Sequence, residues 1–159
     1  MGYIFVLRHG PTDGHENLNK KKYFKLIPSI TEHITRYCDP NKIQSIYTSP
    51  LDRCKDTANI LAELLKIKNV KKEKYLHRWN GRHNNETREE ANNRVKKFGK
   101  HIRKHDNKEN IILITHSSVY RSLVESLYGH KVRHQKINKG ALSIIDLDTG
   151  KLKEYNLRH

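Results

Sequence analysis

Arg8, His9 and Gly10 follow directly on the apolar run at residues 3–7. The run has the length and composition of a strand buried on both faces, and ligands of open α/β sheets bind just beyond the carboxyl ends of strands. An arginine supplies a planar fork of donors that fits phosphate oxygens, and a histidine can be a nucleophile near neutral pH. Gly10 would let a ligand oxygen approach the backbone. A strand end with a chance basic pair explains these three residues equally well.

Arg53 is the next candidate, because it falls in the first turn of a predicted helix. Ser49 is a good N-cap and Pro50 suits the first helical position. The guanidinium would then lie beside free backbone N–H groups and the positive end of the helix dipole, an arrangement that holds anions. A surface arginine that pairs with Asp52 or Asp56 is the alternative.

His116 also lies at the end of a predicted strand. Residues 111–115 form the clearest buried apolar run, and His116 and Ser117 follow it. A helix comes next, with Gly129 as its stop signal. One such histidine is usually structural, but two of them, His9 and His116, each at a strand end, favour a functional site.

Capping residues and periodicity predict the elements around these side chains. Ser29 and Glu32 form a capping box for a helix that runs to Cys38, and Thr87 and Glu90 form a second box. The other predicted elements are strands at 43–47 and 72–76, the helix after Ser49, and a terminal hairpin of residues 141–147 and 152–157.

Length and charge limit the class of protein. The chain has 159 residues, 35% of them hydrophobic, and neither a repeat nor a linker, so we expect one domain over residues 1–159. The net charge of +15 favours anionic partners, namely phosphorylated small molecules, phosphoproteins or nucleic acid. A basic surface that is merely solvated is an equally good interpretation.

Cysteine usage and apolar runs predict a cytoplasmic protein. Cys38 and Cys54 are not closely spaced, so no zinc site is indicated. Two thiols suit a reducing compartment, and Met1 leads straight into the first strand without a targeting segment. No apolar stretch is long enough to cross a bilayer.

The three motifs together resemble one family. Arg8–Gly10, the helix start Ser49-Pro50-Leu51-x-Arg53 and the strand end Thr115–His116 occur in this order. The combination resembles the histidine phosphatase superfamily, which includes the cofactor-dependent phosphoglycerate mutases. The resemblance implies a three-layer α/β/α sandwich with a mostly parallel sheet, and neither a bound cofactor nor a metal.

The resemblance also implies a role for each matching residue. His9 would attack phosphorus and become phosphohistidine, while Arg8, Arg53 and His116 would bind the phosphoryl oxygens. Fixed cations of this kind stabilise the negative charge of a phosphoryl group in transfer. The sequence departs from the family after Thr12, because His15 stands where asparagine is common. The remaining predicted substrate contacts are Gly10, Thr12, His15, Asn17 and Ser117.

The proton donor is the larger departure. Members of the mutase type carry a glutamate a few residues before a glycine in the loop after the third strand. Here His77 stands in the comparable loop, and Glu86 is the nearest carboxylate downstream. Both residues are therefore candidates for the general acid.

Three functions are consistent with these patterns. The first is a phosphatase that hydrolyses a phosphomonoester or a phosphoprotein through phosphohistidine, and the second is mutase-type phosphoryl transfer. The short segment between Arg53 and His116 favours the phosphatase, since the family's mutases carry a longer insertion there. The third is a non-catalytic module that binds phosphorylated or nucleic-acid partners. A nucleic-acid partner is not favoured, because no recognition motif is present and the chain has only one Trp and three Phe.

Overall fold

The structure, a computed structural model, describes residues 2–14, 17–81 and 85–159. Within these residues a six-stranded sheet forms the centre of the molecule, and a two-stranded ribbon, β2 with β3, lies apart from it. The strands are β1 (Tyr3–Arg8), β2 (Thr12–Asp13), β3 (Asn17–Leu18), β4 (Ile43–Thr48), β5 (Val70–Lys72), β6 (Asn110–Thr115), β7 (Leu142–Asp146) and β8 (Lys151–Leu157).

The sheet is mostly parallel, as expected. Its strands lie in the order β5–β4–β6–β1–β7–β8. The four strands from β5 to β1 run parallel, and β7 and β8 extend the sheet as antiparallel strands. The register sets Arg8 opposite Thr115, so the carboxyl ends of β1 and β6 lie side by side.

Helices cover both faces of the sheet. The longer helices are α1 (Lys20–Tyr37), α2 (Asp52–Leu65), α3 (Arg88–His105) and α4 (Ser117–Tyr128), and Pro40–Lys42 and Lys74–Leu76 form short 3-10 turns. No helix of the described residues is both long and apolar enough to cross a membrane.

Alternate side chains of β1 build the two cores. Phe5 and Leu7 pack into a core with residues of α1 and α2, whereas Ile4 and Val6 pack into the opposite core with residues of α3 and α4. All four side chains are fully buried, which explains why this strand is apolar throughout rather than alternating. The predicted three-layer α/β/α architecture is confirmed.

The first helix differs from its prediction. It begins at Lys20, well before Ser29, and the side chain of Asn19 caps it by accepting the N–H of Lys22 at 3.0 Å. Pro28 lies inside the helix. A proline there removes one backbone hydrogen bond, but the buried stripe that includes Tyr23 packs against the sheet on both sides of it and keeps the helix continuous.

The other predicted element boundaries lie closer to those in the structure. The strand expected at 72–76 ends at Lys72, and its second half is a 3-10 turn instead. The capping box of Thr87 and Glu90 is confirmed, with both of its hydrogen bonds at 3.0 Å. Gly129 ends α4 at φ 86°, a backbone angle that favours glycine.

Candidate active site

His9 and His116 lie together because β1 and β6 are adjacent parallel strands. The backbone N–H of His9 donates to the carbonyl of Thr115 at 3.2 Å, which continues the strand pairing by one residue. The two imidazole rings are 5.5 Å apart between centroids and meet edge to face. Both residues are almost completely buried. The two histidines that the sequence placed at separate strand ends therefore belong to one site.

Arg53 reaches this pair from the first turn of α2. Its Nε donates to Nε2 of His9 at 3.3 Å. The side chain of Thr57 fixes this turn to the loop after β1, because its hydroxyl donates to the Arg53 carbonyl at 2.7 Å and accepts the N–H of Gly10 at 3.0 Å. Buried Cys54 anchors the same turn in the core. Arg53 is thus held beside His9 by the packing of the helix.

Hydrogen bonding decides which nitrogen of His9 can react. Nδ1 lies 2.9 Å from the carbonyl oxygen of Gly10, and a carbonyl can only accept, so Nδ1 carries the proton. The lone pair of the neutral ring is then on Nε2, the atom next to Arg53. Burial lowers the pKa of His9 to about 4, and the positive charges of Arg8 and Arg53 act in the same direction. The imidazole is therefore neutral at physiological pH, with its unprotonated nitrogen, Nε2, facing Arg53.

This shifted pKa can be measured directly. In the free protein, His9 should stay unprotonated as the pH falls from about 7 to about 5, because neighbouring cations and burial disfavour the imidazolium. An NMR titration of the ring nitrogens should give a midpoint near 4, with the His9 signals identified by their loss in His9→Ala. A midpoint at or above the ordinary value of 6.5 would contradict this environment.

His116 is held by two neighbours that were not predicted to touch it. Its Nε2 lies 2.7 Å from the hydroxyl of Ser49 and 3.5 Å from the sulfur of Cys54. Burial lowers the pKa of His116 to about 2, with Arg53 contributing, so the ring is neutral. Nδ1 has a weaker neighbour, because the Cys54 sulfur lies 3.9 Å from it. Ser49 is therefore not the N-cap of α2, which begins at Asp52 after Leu51.

A cavity of about 390 Å³ opens over these residues. Its lining joins Arg8, His9, Arg53 and His116, which the sequence predicted, to basic and aromatic side chains that it did not. Arg78 and Trp79 come from the loop after the second 3-10 turn, and Lys139 from the segment before β7. The other lining residues are Thr12, Gly14, Ser117 and Ser118. Three arginines and a lysine make this cavity suited to a phosphoryl group.

Of the four predicted contacts that the structure describes, two line the cavity and two do not. Thr12 and Ser117 line it, and Lys139 Nζ donates to the Thr12 hydroxyl at 3.1 Å. Asn17 is an exposed residue of the ribbon outside the lining, and His15 lies outside the described residues. Gly10 is also outside the lining.

Gly10 makes room for protein rather than ligand. A Cβ built at this position would lie 2.7 Å from a ring carbon of Tyr23 and 2.9 Å from a methyl of Leu18. Its N–H donates to Thr57 and so is already engaged. Side chains of α1 and β3 fill the space beside the Gly10 Cα, so this geometry does not favour the expected approach of a ligand oxygen, which stays a prediction.

The two candidate proton donors are placed differently. The ring centroid of His77 lies 6.3 Å from that of His116, at the edge of the site. Its Nδ1 lies 3.0 Å from the carbonyl of Arg78 and must therefore donate to it. Nε2 is then the nitrogen from which an imidazolium could release a proton.

Glu86 is instead paired with Arg94 of α3. Its two carboxylate oxygens accept Nε and Nη2 of Arg94 at 3.0 Å each, and this hydrogen bonding lowers the pKa of Glu86. Arg94 also donates to the carbonyls of Tyr75, His77 and Arg78. The pair thus secures the loop that carries His77 and Arg78, and the described geometry gives Glu86 a positioning role. The prediction that Glu86 is a free acid is not supported by this arrangement.

The chain also matches a known protein family in sequence. The sequence profile of the histidine phosphatase superfamily (branch 1) matches residues 4–80 and 65–157, two overlapping segments that cover almost the whole chain. The chain therefore belongs to the histidine phosphatase superfamily, as its motifs predicted. No curated protein sequence matches it.

Solved structures share the fold over nearly their full length. A mycobacterial glucosyl-3-phosphoglycerate phosphatase in complex with VO3 is 14% identical, with a TM-score of 0.71, covering 98% of this chain and 99% of that chain. The phosphoserine phosphatase of Entamoeba histolytica in complex with 3-phosphoglyceric acid is 14% identical, with a TM-score of 0.69 and coverages of 99% and 98%. YhfR of Bacillus stearothermophilus is 16% identical, with a TM-score of 0.66 and coverages of 96% and 94%.

Proposed function

We propose that this protein is a phosphatase that hydrolyses a phosphomonoester through a phosphohistidine on His9. The observation that carries the proposal is the neutral His9, whose Nε2 lies 3.3 Å from Nε of Arg53 in a cavity lined by cations. A neutral imidazole is a competent nucleophile toward phosphorus. The cations around it match the charge that a transferring phosphoryl group spreads over its equatorial oxygens.

The reaction would proceed in two balanced steps. In the first, Nε2 of His9 forms a bond to phosphorus while the bond from phosphorus to the ester oxygen breaks, and that oxygen takes a proton from a general acid. In the second, water attacks phosphorus and gives a proton to the deprotonated general acid, the bond to Nε2 breaks, and inorganic phosphate leaves with the acid restored. Arg8, Arg53 and His116 would hold the phosphoryl oxygens in both steps, because such fixed donors stabilise the transition state.

Hydrolysis is favoured over mutase-type transfer by the short segment between α2 and β6. The elements described there include β5, one 3-10 turn and α3, and the short sequence between Arg53 and His116 has no room for a long insertion over the cavity. The structural neighbours include phosphatases of phosphorylated small molecules, namely the mycobacterial and Entamoeba histolytica enzymes. They support the reaction class and a phosphorylated small molecule as substrate.

Release of inorganic phosphate is the test of this function. The protein should hydrolyse an aryl phosphate such as 4-nitrophenyl phosphate and also a set of alkyl phosphates. A parallel assay should follow transfer from a phosphorylated donor to a second alcohol. Transfer that outpaces phosphate release would establish a mutase instead, and binding of phosphate esters without turnover would establish a binding module.

The proton donor can be identified by comparing leaving groups. If His77 is the general acid, His77→Ala should slow alkyl phosphate hydrolysis by about 10²-fold or more, since general acids contribute about 10²–10⁴-fold. Aryl phosphates should lose far less, because their leaving oxygen is already a stable anion.

Glu86→Gln is the matched comparison for His77→Ala. We expect it to slow alkyl phosphate hydrolysis less than His77→Ala does, because it would loosen Arg94 and the loop that carries His77 but would leave the imidazole in place. A selective loss of alkyl phosphate hydrolysis in Glu86→Gln, with His77→Ala mild, would reverse the two assignments.

A further inference from the structure

One backbone carbonyl orients the guanidinium of Arg8 at the candidate active site. Nη1 of Arg8 donates to the carbonyl of Ile137 at 2.6 Å, whereas its buried Nε has no hydrogen-bond partner among the described residues. Arg8 also lines the cavity over His9, where the direction of its planar fork decides which oxygens it can bind. That direction depends on where the Ile137 carbonyl points.

Asn156 of β8 holds the peptide group that carries this carbonyl. Oδ1 of Asn156 accepts the N–H of Asn138 at 3.2 Å, and Nδ2 donates to the carbonyl of Lys136 at 2.7 Å. The Asn138 N–H and the Ile137 carbonyl belong to one planar peptide, which is trans, so the two groups point in opposite directions. By holding the N–H, Asn156 therefore aims the Ile137 carbonyl away from itself and toward Arg8.

An extra residue in β8 brings the Asn156 side chain to this position. Leu142 of β7 pairs with Leu157, and Ile144 pairs with Glu154. Two residues of β8 therefore lie opposite one residue of β7 between these pairs, which is the pattern of a β-bulge. A bulge redirects a side chain away from the regular alternation of the strand. Asn156 is one of the two residues in this bulge, and it is buried.

The backbone of Asn156 adopts the left-handed conformation. Its φ is 54°, an angle that asparagine tolerates better than most residues. Its N–H donates to the hydroxyl of Ser143 at 3.0 Å, and that hydroxyl lies 2.6 Å from the hydroxyl of Tyr120. Buried contacts of this kind fix an unfavourable backbone angle. Glycine adopts the same angle without cost, so a substitution can separate the work of the side chain from that of the backbone.

We propose that Asn156 is a positioning residue for the phosphatase reaction, which orients the guanidinium of Arg8 through the Ile137 peptide. The inference rests on the proposed function, because Arg8 would bind a phosphoryl oxygen there. A donor that is already oriented needs no reorganisation as negative charge develops in the transition state. Without the amide, the Ile137 carbonyl can turn and Arg8 can turn with it. The cost should therefore fall more on kcat than on KM.

Stabilising the terminal hairpin is the competing role for Asn156. An amide with that role alone would change the melting temperature, and any effect on the rate would be independent of Arg8. A positioning amide loses its effect on the rate once Arg8 is absent, because the two residues act as a unit. Variants of Asn156 and Arg8 are therefore measured singly and together.

Asn156→Gly removes both side-chain hydrogen bonds and fits the backbone angle. We expect kcat for 4-nitrophenyl phosphate to fall at least about 10-fold, since displacing a catalytic group by about 1 Å can cost about 10²-fold. In an Arg8→Gln background the same substitution should change kcat by less than about twofold. These kcat values are compared with the wild-type protein and with Arg8→Gln alone.

Asn156→Asp is the conservative variant and replaces Asn156→Gly if the glycine variant folds poorly. Its carboxylate still accepts the N–H of Asn138 but cannot donate to the carbonyl of Lys136. We expect a smaller loss of kcat, about fivefold, on the scale of one lost hydrogen bond. This loss should also disappear in the Arg8→Gln background.

Asn110→Gly is the matched control. Asn110 is another buried asparagine whose amide bridges two backbone groups, because it accepts the N–H of Tyr3 at 2.8 Å and donates to the carbonyl of Lys42 at 3.0 Å. It lies at the amino end of β6, whereas His116 follows the carboxyl end. The substitution should lower the melting temperature but leave kcat of the folded protein within about twofold.

The Nε–H signal of Arg8 in NMR spectra gives a readout that does not need turnover. It is identified by its loss in Arg8→Gln. Because Nε is buried, its proton should exchange slowly while the guanidinium is held, and at least about 10-fold faster in Asn156→Gly. Asn110→Gly should leave this exchange rate unchanged.

Three results would overturn the inference. They are a kcat in Asn156→Gly within about twofold of the wild type, a fall in kcat that is undiminished in the Arg8→Gln background, and equal exchange of the Arg8 signal in the wild type and Asn156→Gly. A wild-type protein that hydrolyses no phosphomonoester would refute the proposed function instead. The exchange rate of the Arg8 signal then decides by itself whether Asn156 orients the guanidinium.

Discussion

Replacing His9 by alanine should abolish phosphate release, lowering kcat/KM by at least about 10³-fold, the scale typical of a lost nucleophile. The variant removes Nε2, the atom that lies beside Arg53 and carries the lone pair. Water would have to attack phosphorus directly, without a covalent intermediate. Steady-state hydrolysis of 4-nitrophenyl phosphate by purified wild-type and variant protein gives the comparison.

His105→Ala is a suitable control for this experiment. His105 is an exposed residue in the last turn of α3 and does not line the cavity. Its replacement removes an imidazole of the same size and should leave kcat/KM within about twofold, as expected for a surface substitution away from the site. Retention of most of the activity in His9→Ala would refute the covalent mechanism.

Replacing Arg53 by methionine should lower kcat by about 10²–10³-fold, the effect of removing one preorganised donor from a developing negative charge. The loss should fall more on kcat than on KM, because the charge on the equatorial oxygens grows toward the transition state. Lysine at this position keeps the charge but not the planar fork, so Arg53→Lys should recover only part of the rate. The measurement is kcat and KM for one aryl phosphate with the wild-type protein, Arg53→Met and Arg53→Lys.

The fold should survive this substitution. Arg53 is not among the buried side chains, whereas Cys54, Ala58 and Leu61 of the same helix are fully buried and hold it against the sheet. Arg36→Met removes an exposed guanidinium elsewhere and should leave kcat unchanged. If Arg53→Met and Arg36→Met had equal activities, Arg53 would not contact the reacting group.

The sequence could predict the centre of the site because strand geometry determines it. His9 and His116 each follow a buried strand, and in parallel neighbouring strands such positions meet at one edge of the sheet. Arg53 was predictable from its place in the first turn of a helix. These are local features, and each required only a few consecutive residues.

The rest of the site depends on long-range packing that local patterns do not reveal. Arg78, Trp79 and Lys139 line the cavity from loops that have no strong periodicity. Arg78 directly follows His77, a predicted site residue, and this position in the chain was the signal that could have marked Arg78 as part of the site. The guanidinium of Arg88 lies 4.9 Å from the centre of the Trp79 ring, a contact that depends on where α3 packs and that the sequence does not indicate.

Gly10 and Ser49 contact residues that are distant in the chain instead of the partners that the sequence predicted. Gly10 was expected to face substrate, but Tyr23 fills its open side. Ser49 was expected to cap a helix, but its hydroxyl is 2.7 Å from His116 Nε2. In each case the residue type was informative and the partner was distant in the chain. Glu86 follows the same pattern through Arg94.

Trapping the phosphoenzyme tests the central claim most directly. Wild-type protein mixed with a phosphomonoester labelled on phosphorus, then quenched within the first turnover without acid, should carry label on the peptide that contains His9. The label should be lost in acid, as expected for phosphohistidine, and should be absent from His9→Ala. A wild-type protein that releases phosphate rapidly without ever carrying label, or that carries it on another residue, would contradict the mechanism.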